Sequence, residues 1–171
     1  MMFAKNDFES VLNSLEFYNN RLIYVIKDGK DTVVNDLYNT FNKYVEGIKE
    51  DIALATTIKV QGLEIYNGQI LDKCYQLYQK WQKPVDCHAY WGYANNGSFE
   101  MHEDPYEVYI EVMEGNKKIN IDGVETELKS GDSIIIPARV PHKAFNTTDC
   151  LSLSFSSFDF SGQSMNVGIK L

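Results

Sequence analysis

From residue 85 onward, apolar residues recur at every second position, and turn residues interrupt them at short, regular intervals. The strands that this pattern predicts are 85–93, 106–113, 117–121, 125–128, 133–136 and 151–158. Turn sequences separate several of them, at Asn96-Gly97, Glu114-Gly115, Asp122-Gly123 and Ser130-Gly131-Asp132. Many short strands at even spacing are typical of a β-sandwich or a β-barrel. We therefore expect residues 85–158 to form a closed or nearly closed β-structure.

Residues 1–84 have a mostly helical pattern instead. Apolar residues spaced three and four apart predict amphipathic helices over 7–15, 32–49 and 70–81, the last of which is ended by Pro84. Short strands are predicted over 21–26 and 58–60, and Asp28-Gly29 forms a turn after the first. The 171 residues are enough for one domain. We expect a single domain in which residues 1–84 are rich in helix, residues 85–158 form the core and residues 159–171 are a polar tail.

The charge of the chain disfavours one class of partner. Its formal net charge is −8 and its pI is about 4.8, and no basic stripe is visible in the sequence. Nucleic acid is an unlikely partner for such a surface, because phosphate backbones are bound by clusters of Lys and Arg. A basic protein partner suits the charge better, although solubility alone would explain it equally well.

Other features of composition predict the compartment. No apolar run approaches the roughly 18 residues that cross a bilayer, and the N-terminal stretch contains early acidic residues and lacks the apolar segment of a secretory signal. The three cysteines are scattered and form no CxxC pair, which argues against a disulfide framework or a zinc ribbon. We therefore expect a cytoplasmic protein without a membrane segment. Its oligomeric state cannot be read from the sequence.

Three residues suggest a metal site. His102 and Asp104 lie two apart in an extended stretch, so their side chains should share a face, and His142 follows a predicted strand in "IIIPARVPH". Two imidazoles and one carboxylate inside a barrel bind non-haem Fe(II) and leave positions open for a cosubstrate and O₂. His102, Asp104 and His142 are thus the candidate metal-binding and catalytic residues. The alternative is that His102 is an ordinary core or surface histidine, because HxD alone is a weak motif.

Lys117 favours the metal-site interpretation. On the strand 117–121 it shares the apolar face with Ile119 and Ile121, whereas Lys118 lies on the polar face. A lysine inside an apolar barrel needs an anion, since an unpaired buried charge is costly, and a dicarboxylate cosubstrate would supply one. The alternative is that Lys117 lies at the start of the strand and reaches water with its long side chain.

These features together resemble the JmjC-type, cupin-fold oxygenases that depend on 2-oxoglutarate and Fe(II). The resemblance rests on HxD at His102, on Gly115 and Lys117 thirteen and fifteen residues later, and on "LKSGDSIIIPARVPH", which ends at His142. It extends over residues 55–158 and includes "LSLSFSSF" and Tyr90, twelve residues before His102. The sequence departs from the family in the residues just before His142, where Arg139, Val140 and Pro141 replace the usual aromatic residues.

The resemblance implies the fold, the cofactors and several site residues. We expect a mainly β protein, a double-stranded β-helix or jelly roll of the cupin type, with its N-terminal helices packed on one sheet. The implied cofactors are Fe(II), 2-oxoglutarate as cosubstrate and O₂, with Lys117 holding the far carboxylate of 2-oxoglutarate. Tyr90 is a further candidate for binding the cosubstrate. His88 shares a strand face with Tyr90 and is another candidate, although it could equally be a buried histidine with its own protein partners. Ser154 is a candidate because Ser152, Ser154 and Ser156 alternate with apolar residues and are expected to face the polar interior near the metal.

The activity that the resemblance implies is hydroxylation. Members of the family act on protein side chains and at least one acts on a tRNA base, and the acidic charge of this chain favours a protein or peptide substrate. Hydroxylation is favoured over demethylation because no aromatic cage for a methylated lysine can be read from the sequence. Two other classes of function stay open: a catalytically silent cupin that binds a metal or a small acid, and a cupin isomerase. An isomerase or a silent cupin has no need of an inward lysine at position 117.

Overall fold

A computed structural model describes residues 2–54, 57–96 and 99–158. The elements in chain order are α1 (Lys5–Leu12), α2 (Leu15–Asn19), β1 (Ile23–Lys27), β2 (Lys30–Val33), α3 (Val34–Leu37), α4 (Phe41–Leu54), β3 (Thr57–Val60), α5 (Leu63–Tyr66), α6 (Gly68–Trp81), β4 (Val85–Gly92), β5 (Val108–Glu114), β6 (Asn116–Ile121), β7 (Val124–Lys129), β8 (Ser133–Ile136), β9 (His142–Asn146) and β10 (Cys150–Ser157). The expected tail 159–171 lies outside the described residues. None of the described helices is both long and apolar enough to cross a membrane.

The strands form two antiparallel sheets. The large sheet has seven strands in the order β2-β1-β3-β4-β10-β5-β8, and the small sheet has three in the order β7-β6-β9. Strand β10 lies between β4 and β5 in the large sheet, so the last strand of the chain is inserted between two earlier ones. The fold is thus a mainly β jelly roll with helices in its N-terminal half, as the sequence predicts.

The main core lies between the large sheet and the N-terminal helices. Helix α6 contributes Ile70, Cys74 and Leu77, which are spaced three and four apart and are all buried. They belong to one cluster with apolar side chains of β3, β4 and β10, among them Ile58, Ala89 and Leu153. Complete burial of a side chain such as Ile70 or Leu153 contributes about 1.5–3 kcal/mol. The amphipathic period of α6 therefore attaches the helical layer to one face of the sheet.

A second, smaller core lies between the two sheets. It contains Val112 of β5, Ile119 of β6 and Leu128 of β7, together with other buried residues of the barrel. On β6 the buried residues Lys117 and Ile119 alternate with less buried ones, as expected for a strand with one face turned to the interior. Val108 of this core also lines the cavity between the sheets.

The structure corrects the predicted helix over 32–49. Its first residues belong instead to β2, which pairs with β1, and the helical part is divided into α3 and α4. The reason is the turn between the strands, where Asp28 and Gly29 both have positive φ, at 52° and 76°. This turn forms a hairpin, so that the β-branched residues Thr32 and Val33 continue a ladder rather than start a helix.

Two other element boundaries differ from the prediction. The helix over 7–15 ends at Leu12, and the Ser14 side chain accepts a hydrogen bond from the Phe17 backbone to begin α2. Leu15, expected on the apolar face of the first helix, is consequently 52% exposed. Strand β9 was not predicted at all, because its residues HKAFN lack the alternation of a strand with one apolar face.

Candidate metal centre and adjoining cavity

His102, Asp104 and His142 meet at one end of the barrel. Asp104 Oδ2 lies 3.3 Å from His142 Nε2 and 3.7 Å from His102 Nε2. One nitrogen or oxygen atom from each of the three residues lies within 4.8 Å of the others. His102 lies outside the described strands, in an isolated antiparallel bridge with His142. That bridge joins the two histidines through their backbones and so determines their separation.

The hydrogen bonds of the two imidazoles turn the same ring nitrogen towards the centre. His102 Nδ1 lies 2.8 Å from the carbonyl oxygen of Glu100, and His142 Nδ1 lies 2.9 Å from that of Val140. A carbonyl oxygen can only accept, so each Nδ1 carries the hydrogen and donates it. Each Nε2 is then left with a free lone pair, the form that binds a metal. The donor set and its orientation fit a divalent metal ion such as Fe(II).

The charge of Asp104 acts on its neighbours. Burial acts to lower the pKa of His142, but the hydrogen bond and the charge of Asp104, together with the Val140 carbonyl, raise it on balance. Burial and the charges of Asp104 and Asp86 raise the pKa of the Tyr106 hydroxyl to about 12, and Tyr106 hydrogen-bonds to Asp104. Tyr106 is therefore a donor that orients the carboxylate, a role that supports a ligand residue.

Lys117 and Lys118 extend from opposite faces of β6. Lys117 is 8% exposed, and its Nζ donates to Ser152 Oγ at 2.7 Å. Lys118 is half-buried on the outside, where its Nζ lies 3.2 Å from Glu125 Oε1. Burial lowers the pKa of Lys117, an effect that the neighbouring Cys150 partly opposes. The inward orientation expected from strand parity is thus what the structure has, rather than a side chain that reaches water.

Lys117 and the three candidate ligands line the same cavity, whose volume is about 640 Å³. Four neighbouring strands of the large sheet, β3, β4, β10 and β5, contribute to its wall, and β4 and β10 carry most of the polar side chains. Tyr90 of β4 is level with Ser152 of β10, and His88 is level with Ser154 one row further along. Tyr90, His88 and Ser154 therefore all lie in the cavity wall, where burial raises the pKa of the Tyr90 hydroxyl.

His88 is close to a carboxylate. Its Nε2 lies 3.3 Å from Asp86 Oδ2, two residues earlier on β4. Nε2 is nevertheless buried without a hydrogen-bond partner among the described atoms, because the approach of the two groups lacks hydrogen-bond geometry. Of the two interpretations that the sequence allows for His88, the structure favours a residue of the cavity wall over a satisfied core histidine.

Four cavity residues escaped the sequence analysis as binding groups, namely Lys59, Asp86, Tyr106 and Ser152. Three of them could have been found from the sequence, because they alternate in step with a candidate site residue and so share its face. Asp86 shares the alternation of His88 and Tyr90, Ser152 shares that of Ser154, and Tyr106 follows Asp104 by two residues. Lys59 carried no such signal, because β3 has four residues that are all buried and its pairing with β4 could not be foreseen.

Comparison with known proteins agrees with this architecture. Residues 89–155 match the family model described as "Cupin domain". The chain has a cupin fold. No curated protein matches the sequence.

Several solved structures resemble the cupin fold of this chain. YcfD, a ribosomal oxygenase from Escherichia coli, is similar over 98% of this chain and 47% of its own, with a TM-score of 0.66 and 14% identity. An RmlC-like cupin from Shewanella frigidimarina is 26% identical over 45% of this chain and 68% of its own, with a TM-score of 0.41. Salicylate 1,2-dioxygenase from Pseudaminobacter salicylatoxidans is 22% identical over 43% of this chain and 21% of its own, with a TM-score of 0.40.

The similarity to YcfD includes the helical half as well as the barrel, because it covers nearly the whole of this cupin chain. The chain spans about half the length of that oxygenase. At this level of identity, the likeness is one of fold. The chemistry of the cupin cavity therefore has to be argued from its own residues.

Proposed function

We propose that this cupin is a 2-oxoglutarate- and Fe(II)-dependent oxygenase of the JmjC type, which hydroxylates a side chain of a protein or peptide. The observation that carries the proposal is a buried ammonium group in the same cavity as two imidazoles and a carboxylate. Among the described ion pairs, none joins Lys117 to a carboxylate, and its hydrogen bond is to a neutral serine. Such a group is suited to an anionic ligand that enters from outside.

The three candidate ligands suit the metal that this activity needs. His102 and His142 would offer Nε2, and Asp104 would offer a carboxylate oxygen. When bound, Fe(II) with 2-oxoglutarate and O₂ supplies the oxidising power that inserts one oxygen atom into a C–H bond, while 2-oxoglutarate becomes succinate and CO₂. The work of the protein is to hold these groups in place and to exclude water from them.

The polar cavity wall would receive the cosubstrate. Lys117 would pair with the distal carboxylate of 2-oxoglutarate, with Ser152 already positioning its ammonium. Tyr90 lies in the same row as Ser152 and can donate from its hydroxyl, which burial keeps protonated. Ser154 and His88 lie one row further along, where they would contact the cosubstrate or the substrate.

A protein or peptide is the substrate class that the charge supports best. A net charge of −8 favours encounter with a basic polypeptide and disfavours nucleic acid. The three cysteines are free and buried, which suits a reducing compartment, and we propose the cytoplasm as the site of the reaction.

Anaerobic spectroscopy provides the test. The protein is loaded with Fe(II), titrated with 2-oxoglutarate, and then exposed to O₂ while succinate is measured. We expect a weak visible charge-transfer band on addition of 2-oxoglutarate and slow succinate release on addition of O₂.

A pair of neighbouring variants controls the spectroscopic test. Asp104→Ala should lose both the band and the metal, whereas Glu103→Ala, which removes an exposed carboxylate beside it, should keep both. Iron binding without a band in the wild type would contradict the oxygenase and leave a metal-binding cupin of another function.

The substrate class needs a separate assay. The loaded enzyme is incubated with a proteome, an RNA pool and a metabolite extract, each with 2-oxoglutarate and ascorbate. We expect products heavier by one oxygen atom in peptides of the proteome. Such products in the RNA or metabolite pool alone would overturn the choice of a protein substrate and leave the oxygenase intact.

A further inference from the structure

Five carboxylate or ammonium side chains line the cavity: Lys59, Asp86, Glu100, Asp104 and Lys117. Four of them have an evident counterpart. Lys59 pairs with Asp31, and the carboxylate of Glu100 lies 3.1 Å from Lys143 Nζ. Asp104 belongs to the candidate metal centre, and Lys117 is the candidate anchor for the cosubstrate. The charge of Asp86 remains to be explained.

Asp86 is an inward-facing carboxylate whose side chain is 15% exposed. Among the described ion pairs, its partner is His88, whose imidazole carries charge only when protonated, and no lysine or arginine pairs with it. The approach of His88 Nε2 to Asp86 at 3.3 Å leaves that nitrogen buried and without a hydrogen bond. His88 Nε2 therefore has hydrogen-bonding capacity that the described residues do not use.

The surroundings of Asp86 suit a cation. Ser156 and Ser154 of β10 are level with Asp86 and His88 in the sheet, and both serines line the cavity. Their hydroxyl oxygens can accept hydrogen bonds beside the carboxylate. Tyr106 also lines the cavity, and an aromatic ring adds attraction for a cation that approaches its face.

We propose that Asp86, with His88, Ser154, Ser156 and Tyr106, forms the subsite that takes a protonated side chain of the substrate, an ammonium or a guanidinium. The proposal rests on the oxygenase function and names the chemistry of the substrate at that site. Asp86 precedes Tyr90 by four residues on β4, so the two subsites are separated by about 13 Å along the strand. That separation lets cosubstrate and substrate occupy the cavity together, with the anion at the Lys117 end and the cation at the Asp86 end.

Matched probes with and without a charge test the subsite. The anaerobic complex with Fe(II) and 2-oxoglutarate is titrated by calorimetry with the capped amino acid Nα-acetyl-arginine N-methylamide and with its uncharged citrulline analogue. A second pair compares the lysine derivative with the norleucine derivative and so distinguishes guanidinium from ammonium. We expect the wild type to bind at least one cationic probe about ten- to a hundredfold more tightly than its neutral analogue.

Variants at Asp86 and at a control position make the result specific to Asp86. In Asp86→Asn, the ratio of the affinities for the charged and the neutral probe should fall to near unity, while the visible band with 2-oxoglutarate persists. Asp86→Ser should give the same result and replaces Asp86→Asn if the amide perturbs folding. Asp72→Asn removes the same charge from an exposed position on α6 and should keep the preference. Equal binding of charged and neutral probes by the wild type would overturn the proposal, as would an unchanged preference in Asp86→Asn. Absence of the band in the wild type would instead contradict the oxygenase function.

Discussion

Lys117 and Lys118 are adjacent in the sequence and differ in the face of β6 from which they extend. The inner one is buried and hydrogen-bonded to Ser152, while the outer one pairs with Glu125 near solvent. Both residues are lysines on the same strand, so variants at the two positions form a matched pair. A difference in 2-oxoglutarate binding between the two variants measures the effect of the cavity itself.

Replacing each lysine by alanine should separate the two roles. A charge-assisted contact in a buried site contributes roughly 1.5–3 kcal/mol, so Lys117→Ala should raise the dissociation constant of 2-oxoglutarate by about ten- to a hundredfold. Lys118→Ala should change it little, because an exposed ion pair contributes less than about 1 kcal/mol. Titration of the visible band gives both constants, and equal effects of the two variants would refute the anchoring role of Lys117.

Lys117→Met should stabilise the protein when no 2-oxoglutarate is present. An unpaired buried charge costs free energy that an apolar side chain of similar volume does not. We expect a higher free energy of unfolding at pH 7 in urea and a loss of 2-oxoglutarate binding. A marked loss of stability would mean that the ammonium already has adequate partners in the free protein.

The same lysine predicts a dependence of stability on pH. Because burial lowers its pKa below the ordinary value of 10.5, the unfolded chain binds more protons between the two values. Wild-type stability should therefore gain from this group as pH rises from the lowered pKa towards 10.5, and the advantage of Lys117→Met should shrink over that interval. Urea unfolding of both proteins at several alkaline pH values checks this.

At the scale of elements, the alternation of side chains between the two faces of a strand was informative about orientation wherever a strand had one apolar face. It predicted β6 and β10 and the inward orientation of Lys117 and Ser154 from residue types alone. It failed for β9, where His142 and Asn146 face inward among residues of mixed polarity. A strand with residues of mixed polarity on both of its faces has no hydrophobic period.

Pairing between distant strands was beyond the reach of the sequence. The hairpin of β1 and β2 extends the large sheet through β3, which brings Lys59 into the cavity beside Tyr90. Local pattern assigned the end of β2 to a helix, because Val33 and Leu37 also fit a helical period. The charge balance of the cavity could therefore be worked out only from the three-dimensional arrangement.

The turn between β5 and β6 depends on one glycine. Gly115 has φ of 79°, and a Cβ there would overlap the backbone carbonyl oxygen of Asp149. Gly115→Ala should therefore destabilise the fold by more than about 1 kcal/mol, through strain and steric overlap. Thermal or urea unfolding measures the loss.

Gly68→Ala is the control for that substitution. Gly68 is the first residue of α6, and a Cβ there would meet nothing within 4 Å. Alanine should leave stability unchanged or raise it by up to about 1 kcal/mol, since glycine is the poorer helix former. Equal losses in the two variants would contradict the steric argument.

At the scale of the whole molecule, the net charge of −8 predicts how turnover responds to salt. Attraction between an acidic enzyme and a basic peptide is screened as the Debye length falls, from about 14 Å near 0.05 M to about 5 Å near 0.3 M. The kcat/KM for a basic peptide substrate should therefore fall several-fold over that range. The kcat/KM for an uncharged peptide of matched sequence should change little with salt. Equal salt dependence for the two peptides would contradict a role for long-range attraction.

The two faces of strand β10 separate substitutions that affect the cavity from substitutions that affect the core. Its buried Leu151, Leu153 and Phe155 belong to the core beneath the helices, while Ser152 and Ser154 line the cavity. Substitutions on the serine side can alter which molecule is accepted without disturbing the packing that keeps the chain folded. Substitutions on the leucine side can adjust stability without touching specificity. A single strand thus lets selection act separately on ligand recognition and on the stability of the fold, which suits a scaffold that acquires new substrates.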